Sequence, residues 1–165
     1  MVFLIGMPGV GKTYWGKRLA EHLGVDFIDL DTYIEKKEKA PISTIFEIEG
    51  EDGFRDIEQQ YLQRIINTAS EDTVLACGGG TPCFYNNMDN MLANGTVIYL
   101  QANITYLINN LDKENGRRPL LANGNLEPKL KGLLQKREED YLRAPYILQT
   151  ENISLTTFDK ILNNV

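Results

Sequence analysis

The fold is decided by a short stretch near the start of the chain, Gly6-Met7-Pro8-Gly9-Val10-Gly11-Lys12-Thr13. It fits the pattern G-x-x-x-x-G-K-[ST] of a phosphate-binding loop. The apolar residues 2–5 before it predict a buried strand, and residues 12–23 predict a helix. Glycines let the backbone curl so that successive N–H groups point at one anion, and the helix N-terminus adds positive partial charge. Strand, loop and helix together therefore favour a phosphate site over an ordinary glycine-rich turn.

The loop also carries two side chains with chemistry of their own. Lys12 can reach the β- and γ-phosphates of a nucleotide as a point charge, and the Thr13 hydroxyl can ligate Mg²⁺. The predicted nucleotide contacts of this segment are Gly9, Val10, Gly11, Lys12, Thr13 and Tyr14.

Composition excludes several classes of protein. The 165 residues are 42% hydrophobic and 24% charged, which is ordinary for one globular domain that can bury a full core. A net charge of −6 leaves no broad basic face for nucleic acid, so any local cluster of arginines or lysines indicates an anion site. No apolar run approaches the roughly 20 residues that span a bilayer, and we expect neither a signal peptide nor a membrane partner.

The number and spacing of the cysteines indicate the cellular compartment in which the protein works. Cys77 and Cys83 are too few for a disulfide framework, and their spacing matches no common metal site, so both are interpreted as reduced thiols of a cytoplasmic protein. No long apolar surface stripe is left over, which favours a monomer.

Predicted strands alternate with predicted helices along the chain. The strands after the first are predicted at 25–29, 73–77, 96–100 and 146–149. The helices after the first are predicted at 33–39, 42–49, 52–69, 104–111, 126–142 and 155–162. This alternation indicates a parallel, three-layer α/β domain.

Two groups of residues follow predicted strands, at the sheet edge where ligands bind in such folds. Asp29 and Asp31 lie close enough to repel unless a cation or a proton lies between them, although Asp31 alone could cap the next helix. Gly78-Gly79-Gly80 is costly in entropy unless a ligand rests on the bare backbone; the alternative is a tight turn.

Arginines mark three further places. Arg55 and Glu58 share a helix face, so Glu58 can fix the guanidinium, although a solvated surface pair is the alternative. Arg137 lies on or beside an apolar helix stripe, which suits either an anion contact or a stem that reaches out to solvent. Residues 112–125 are polar and aperiodic, which predicts a mobile loop with Arg118 in it.

Taken together, these motifs resemble shikimate kinase in order and spacing over nearly the whole chain. The matching set is Gly6–Thr13, Asp29-x-Asp31, Phe54-Arg55-x-x-Glu58, Gly78–Gly80, Arg118-Pro119-Leu120-Leu121 and Arg137. The resemblance implies a P-loop kinase of the nucleoside monophosphate kinase type, with a five-stranded parallel sheet of order 2-3-1-4-5. It implies one domain over residues 1–165, a lid at about 112–125 and a substrate-binding region at about 31–62.

The implied activity is ATP-dependent phosphorylation of the 3-hydroxyl of shikimate, in the shikimate pathway to aromatic amino acids. Thr13 would bind Mg²⁺ directly, and Asp29 would help to hold it through water. Asp31 would hydrogen-bond the reacting hydroxyl and act as its base. Lys12 and Arg118 would neutralise the transferred group, Arg118 as a nucleotide contact in the lid.

The substrate side of the site is implied in the same way. Arg55 and Arg137 would hold the carboxylate of shikimate, with Glu58 orienting Arg55 and Phe54 forming a wall against the ring. The Gly79 amide would also contact the substrate. The substrate-binding residues of this turn are Gly78, Gly79 and Gly80.

Two departures from the family pattern concern the nucleotide base. Asn110 stands where family members usually carry an arginine that stacks on adenine, and residues 151–154 lack a second nucleotide-contacting arginine. We therefore expect weaker adenine binding. Arg117, beside Arg118, is an additional charge to which the resemblance gives no role.

Two other functions use the same loop. A gluconate kinase would share the loop and the sheet, but Arg55 and the triple glycine favour shikimate. A nucleotide-binding module without catalysis would be favoured by loss of Lys12, Thr13 or Asp31, and all three are present.

Overall fold

Five parallel strands form one sheet in the computed structural model, which describes residues 1–113 and 126–163. The strands are β1 Val2–Ile5, β2 Phe27–Asp29, β3 Val74–Ala76, β4 Thr96–Gln101 and β5 Tyr146–Gln149. Their order across the sheet is β2-β3-β1-β4-β5, as predicted. Every pair is parallel, so the carboxyl ends of all five strands meet at one edge.

Helices connect the strands and cover the sheet. Within the described ranges they are α1 Lys12–Leu23, α2 Leu30–Glu38, α3 Ile42–Thr68, α4 Asn87–Asn94, α5 Ile104–Lys113, α6 Leu126–Tyr141 and α7 Leu155–Leu162. Short 3-10 turns lie at Thr81–Cys83 and Thr150–Asn152. None of these described helices is both long and apolar enough to cross a bilayer.

Helix α2 begins earlier than predicted, at Leu30 rather than at residue 33. The Asp29 carboxylate accepts a hydrogen bond from the Thr32 backbone N–H at 3.1 Å and so caps the helix. Asp31 lies in the first turn instead, which rules out the alternative that Asp31 is the cap. Strand β2 is correspondingly shorter than predicted and begins at Phe27.

The helices predicted at 42–49 and 52–69 form one element, α3, with a kink between them. Gly50 has a φ of 69° and a ψ of −175°, a conformation that breaks the helix and that glycine adopts at little cost. Helix α4 was not predicted. It is only eight residues long, and its buried apolar residues, Met88 and Met91, are too few to reveal a helical periodicity in the sequence.

The core lies on both faces of the sheet, around its central strands. Phe3, Leu4 and Ile5 of β1 are fully buried, as are Val97, Ile98 and Leu100 of β4. Such continuous burial is characteristic of a parallel sheet with helices on both sides. The register pairs Ala76 of β3 with Leu4 on one side and Asp29 on the other, which brings the loops after β1, β2 and β3 together.

Helix α1 packs directly against β2 through a glycine. A Cβ atom on Gly16 would lie 2.4 Å from Cε2 of Phe27, so the helix can approach the strand only because residue 16 has no side chain. Gly132, also inside a helix, has open space around its Cβ position.

These two glycines predict opposite effects of the same substitution. Gly16→Ala forces the Phe27 ring to move and should destabilise the protein by about 1–3 kcal/mol. Gly132→Ala should stabilise it by about 0.5–1 kcal/mol, because alanine loses less backbone entropy in a helix. Urea denaturation of the two variants measures both free energies. Equal shifts of the two midpoints would show that the α1–β2 contact is not tight.

Candidate active site

The phosphate-binding loop joins β1 to α1 in the predicted conformation. Gly9 and Gly11 have φ values of 81° and 95°, which only glycine adopts without strain. Gly11 precedes the first turn of α1, whose N–H groups have no partner within the helix and so face a ligand. The Lys12 ammonium donates to the backbone carbonyls of Gly6 at 2.9 Å and Met7 at 3.1 Å, which places its charge within the loop.

Two oxygen side chains meet at the start of α1. The Thr13 hydroxyl donates to the Asp29 carboxylate at 2.6 Å, and the other oxygen of that carboxylate caps α2. A hydroxyl and a carboxylate are hard oxygen ligands, and Mg²⁺ typically takes only one or two protein ligands beside phosphate and water. The pair therefore fits the predicted magnesium site. Among the described residues no cluster of three or more His, Cys, Asp or Glu side chains forms a separate metal site.

Arg55 and Glu58 form a buried ion pair on α3. Arg55 is 3% exposed, Glu58 is fully buried, and Nη1 of the arginine donates to Oε2 of the glutamate at 2.8 Å. The alternative of a solvated surface pair is thus wrong. The other oxygen of Glu58 accepts from the Thr81 hydroxyl at 2.6 Å. Within the described chain, Nε of Arg55 is buried without a hydrogen-bond partner, which leaves one N–H of a fixed cation for a ligand.

Aromatic rings surround the same guanidinium. The Arg55 carbon Cζ lies 4.3 Å from the ring centre of Phe84 and 5.1 Å from that of Phe54. Phe54 itself packs against Phe46. Cations are attracted to ring faces at such distances, so the rings help to hold the arginine.

The turn after β3 brings charged side chains onto bare backbone. A Cβ on Gly78 would lie 2.7 Å from a Glu58 oxygen and 3.0 Å from an Asp31 oxygen, and one on Gly80 would lie 2.6 Å from Nη2 of Arg55. The turn is also tight, because the Thr81 N–H donates to the Gly78 carbonyl at 3.2 Å. The tight turn is therefore present, and the contact of a ligand with its bare backbone stays a prediction.

Arg137 reaches the same turn from α6. It is 6% exposed, and its Nη1 lies 3.2 Å from the Cβ position of Gly79, so its head does not extend to solvent as the alternative required. One helical turn later, the buried Tyr141 hydroxyl donates to the Gly79 carbonyl. Burial raises the pKa of Tyr141, which keeps this hydroxyl protonated as a donor.

Both cysteines lie near the site without taking part in it. Burial raises the pKa of the Cys77 thiol, the negative charge of Glu58 raises it further, and Lys12 opposes the shift. Burial raises the pKa of Cys83 to about 12. Neither cysteine is in a disulfide, as predicted, and the raised pKa favours the protonated thiol of each at neutral pH.

Arg118, Arg117 and the side chains of the predicted lid lie outside the described residues. Tyr14 lies in the first turn of α1, where its side chain is exposed and its hydroxyl accepts a hydrogen bond from Arg18. Its contact with a nucleotide stays a prediction.

Sequence reasoning missed three contacts that build the site. Thr81 binds Glu58, Phe84 covers Arg55, and Tyr141 holds Gly79. Two weak signals were available. Thr81 directly follows the triple glycine, and Tyr141 lies four residues after Arg137, on the same helix face.

Comparison with known proteins agrees with this geometry. A family model described as "Shikimate kinase" matches residues 8–165. The chain belongs to the shikimate kinase family. It is 48% identical over 126 residues to a shikimate kinase of Azobacteroides pseudotrichonymphae, a match that covers 76% of this chain and 74% of the relative.

Solved structures of shikimate kinases share the whole fold. The enzyme of Bacteroides thetaiotaomicron superposes with a TM-score of 0.92 at 32% identity, covering 98% of this chain and 97% of that one. The enzyme of Acinetobacter baumannii, solved in complex with shikimate, superposes with a TM-score of 0.90 at 36% identity, covering 99% and 93%. The fold expected of a shikimate kinase is thus confirmed.

The buried ion pair predicts a large loss of stability when it is broken. Glu58→Ala leaves the Arg55 charge buried beside an unpaired Thr81 hydroxyl and should cost about 3–5 kcal/mol. Glu51→Ala is the matched control, because Glu51 contacts the same arginine at 3.3 Å from a half-exposed position. Such a pair contributes at most about 1 kcal/mol. Urea midpoints of the two variants measure the difference, and equal midpoints would contradict the assignment of Glu58 as the buried counter-ion.

Proposed function

We propose that this chain transfers the γ-phosphate of ATP to the 3-hydroxyl of shikimate, with the predicted residues in the roles described below. The observation that carries the proposal is the convergence of two buried arginines on one glycine turn. Arg55 lies against Gly80 and Arg137 against Gly79, at the sheet edge that also carries the phosphate-binding loop.

This convergence suits a carboxylate. A planar guanidinium binds a carboxylate through two parallel hydrogen bonds, and the buried Nε of Arg55 is available for one. Arg55 is already paired with Glu58 and Glu51, whereas no ion pair among the described residues joins the buried Arg137 to a carboxylate. A substrate carboxylate would therefore chiefly meet the charge of Arg137, with the free N–H of Arg55 beside it.

Asp31 is the proposed base. Its carboxylate lies at the Gly78 end of the same turn and directly follows the strand that ends in Asp29. It would accept a hydrogen bond from the substrate hydroxyl and take up its proton as the phosphoryl group is transferred. The loop amides and Lys12 would neutralise the charge on that group, with Arg118 as the predicted further cation.

Thr13 and Asp29 would hold Mg²⁺, which is expected to neutralise the β- and γ-phosphates when it is bound. Their direct hydrogen bond places the two oxygens beside each other, which supports a shared site. The proposed cofactors are therefore ATP and Mg²⁺.

Other parts of the proposal concern organisation. One sheet and one hydrophobic core connect both described ranges, which supports a single domain with its substrate-binding region at about 31–62. We also propose that the protein acts as a cytoplasmic monomer. A nucleotide-binding module without catalysis would not need Asp31 at the turn. Gluconate also carries a carboxylate, so the preference for shikimate over gluconate rests on the family to which the chain belongs.

A coupled ADP-release assay tests the activity. With ATP and Mg²⁺ present, shikimate should give turnover at least about 100-fold above gluconate or nucleoside monophosphates, as expected of a member of the shikimate kinase family. Lys12→Ala should reduce turnover by a similar factor with the fold intact. Shikimate-independent ADP release, or preference for gluconate, would falsify the proposed function.

The arginines predict a separation of the two Michaelis constants. Arg55→Lys and Arg137→Ala should each raise the KM for shikimate about 10- to 150-fold, the cost of one charge-assisted hydrogen bond. The KM for ATP should change by only about 2- to 3-fold, because that site is built from the loop. Arg143→Ala is the control, since Arg143 is exposed and pairs with Asp89. Loss of ATP affinity with unchanged shikimate affinity would mean that the two sites are assigned the wrong way round.

A further inference from the structure

The C-terminal half of α5 lies directly against the phosphate-binding loop. A Cβ on Gly9 would come within 2.7 Å of Cγ of Leu111 and 3.0 Å of the Leu107 carbonyl. At the same place the Asn110 side-chain amide donates to the Gly9 carbonyl at 2.9 Å. One glycine of the loop is therefore both packed and hydrogen-bonded by a helix about 100 residues away in sequence.

From this contact we propose that Asn110 is a positioning residue, which holds the peptide between Gly9 and Val10 in the orientation that the loop needs to bind phosphate. This inference rests on the proposed nucleotide site.

The peptide is held at both ends. Its carbonyl accepts from Asn110, and its N–H, which belongs to Val10, donates to the Met7 carbonyl at 3.3 Å. Because a peptide unit is planar and trans, its C=O and N–H point in opposite directions, so holding one fixes the other. The Met7 bond is long, which leaves the shorter Asn110 bond as the stronger constraint.

The constraint matters because Gly9 is easily rotated. Its φ of 81° lies in a region that glycine enters and leaves at low cost. If the Gly9 carbonyl turned into the loop, its negative end would face the phosphates. The hydrogen bond from Asn110 opposes that turn. The side chain thus lowers the entropy cost of ordering the loop when an anion binds.

The residue type suits this task. The carbonyl needs a donor, and an amide supplies one without charge. Aspartate at residue 110 would place a carboxylate oxygen, an acceptor, opposite the Gly9 carbonyl, which is also an acceptor. It would also add negative charge near the phosphates. Asn109, the preceding residue on α5, is exposed and provides a control on the same helix turn.

The test compares Asn110→Leu, Asn110→Ala and Asn110→Asp with Asn109→Leu in the full chain. Calorimetric titration with Mg·ADP and steady-state kinetics measure nucleotide affinity and both Michaelis constants. Asn110→Leu and Asn110→Ala should weaken Mg·ADP binding and raise the KM for ATP about 3- to 10-fold, the value of one neutral hydrogen bond. Asn110→Asp should weaken Mg·ADP binding further and raise the KM for ATP further. The KM for shikimate, and every constant of Asn109→Leu, should change less than about 2-fold.

Two outcomes would overturn the inference. One is wild-type Mg·ADP affinity in both Asn110→Leu and Asn110→Ala. The other is an equal rise of the two Michaelis constants, which would indicate a general structural defect.

Lys12→Ala separates this inference from the proposed function. If Lys12→Ala binds Mg·ADP normally, the nucleotide site itself is wrong. If only Lys12→Ala weakens binding, the site stands and the role of Asn110 fails.

Discussion

The Glu58 carboxylate is the contact on which the rest of the substrate side depends. It is fully buried and accepts hydrogen bonds from Arg55 at 2.8 Å and from Thr81 at 2.6 Å. A charge so far from water is tolerated only when its partners are well placed. The carboxylate therefore fixes α3 relative to the turn after β3. It does so together with Glu51 and the aromatic rings that also contact the Arg55 guanidinium.

The glycine turn follows from the same constraint. Charged groups of Asp31, Glu58 and Arg55 approach Gly78 and Gly80 more closely than any side chain at those positions would allow. Arg137 arrives at Gly79 from a different helix, and Tyr141 holds the carbonyl of that residue. The turn is thus a bare stretch of backbone on which two arginines and two carboxylates from three helices are gathered, an arrangement suited to a small polar ligand.

The nucleotide side is organised by a different principle. Its loop is largely local, because three glycines and the first turn of α1 create the anion site within a few residues of sequence. The distant contribution comes from α5, through Asn110. Asn110 is also where family members usually carry the adenine-stacking arginine, so weaker adenine binding remains a prediction. Here the side chain contacts the loop, which shifts its contribution toward the phosphates.

Local features of the sequence determined much of this protein. The loop motif and the alternation of strands and helices indicated a parallel α/β domain, because these signals lie within short windows. Six motifs in register indicated the family, and the sheet order followed as what that resemblance implies. Boundaries near Leu30 and Gly50 were less certain, since capping and kinking are settled by single contacts.

Only the tertiary structure decided which alternatives hold for the charged residues. Spacing placed Arg55 and Glu58 on one face but could not show that the face is buried. It placed Asp31 beside a helix start but could not show that Asp29 supplies the cap. Nor could it bring Asn110 to Gly9. Burial and contact between distant residues depend on how whole elements pack, and a local pattern does not contain that information.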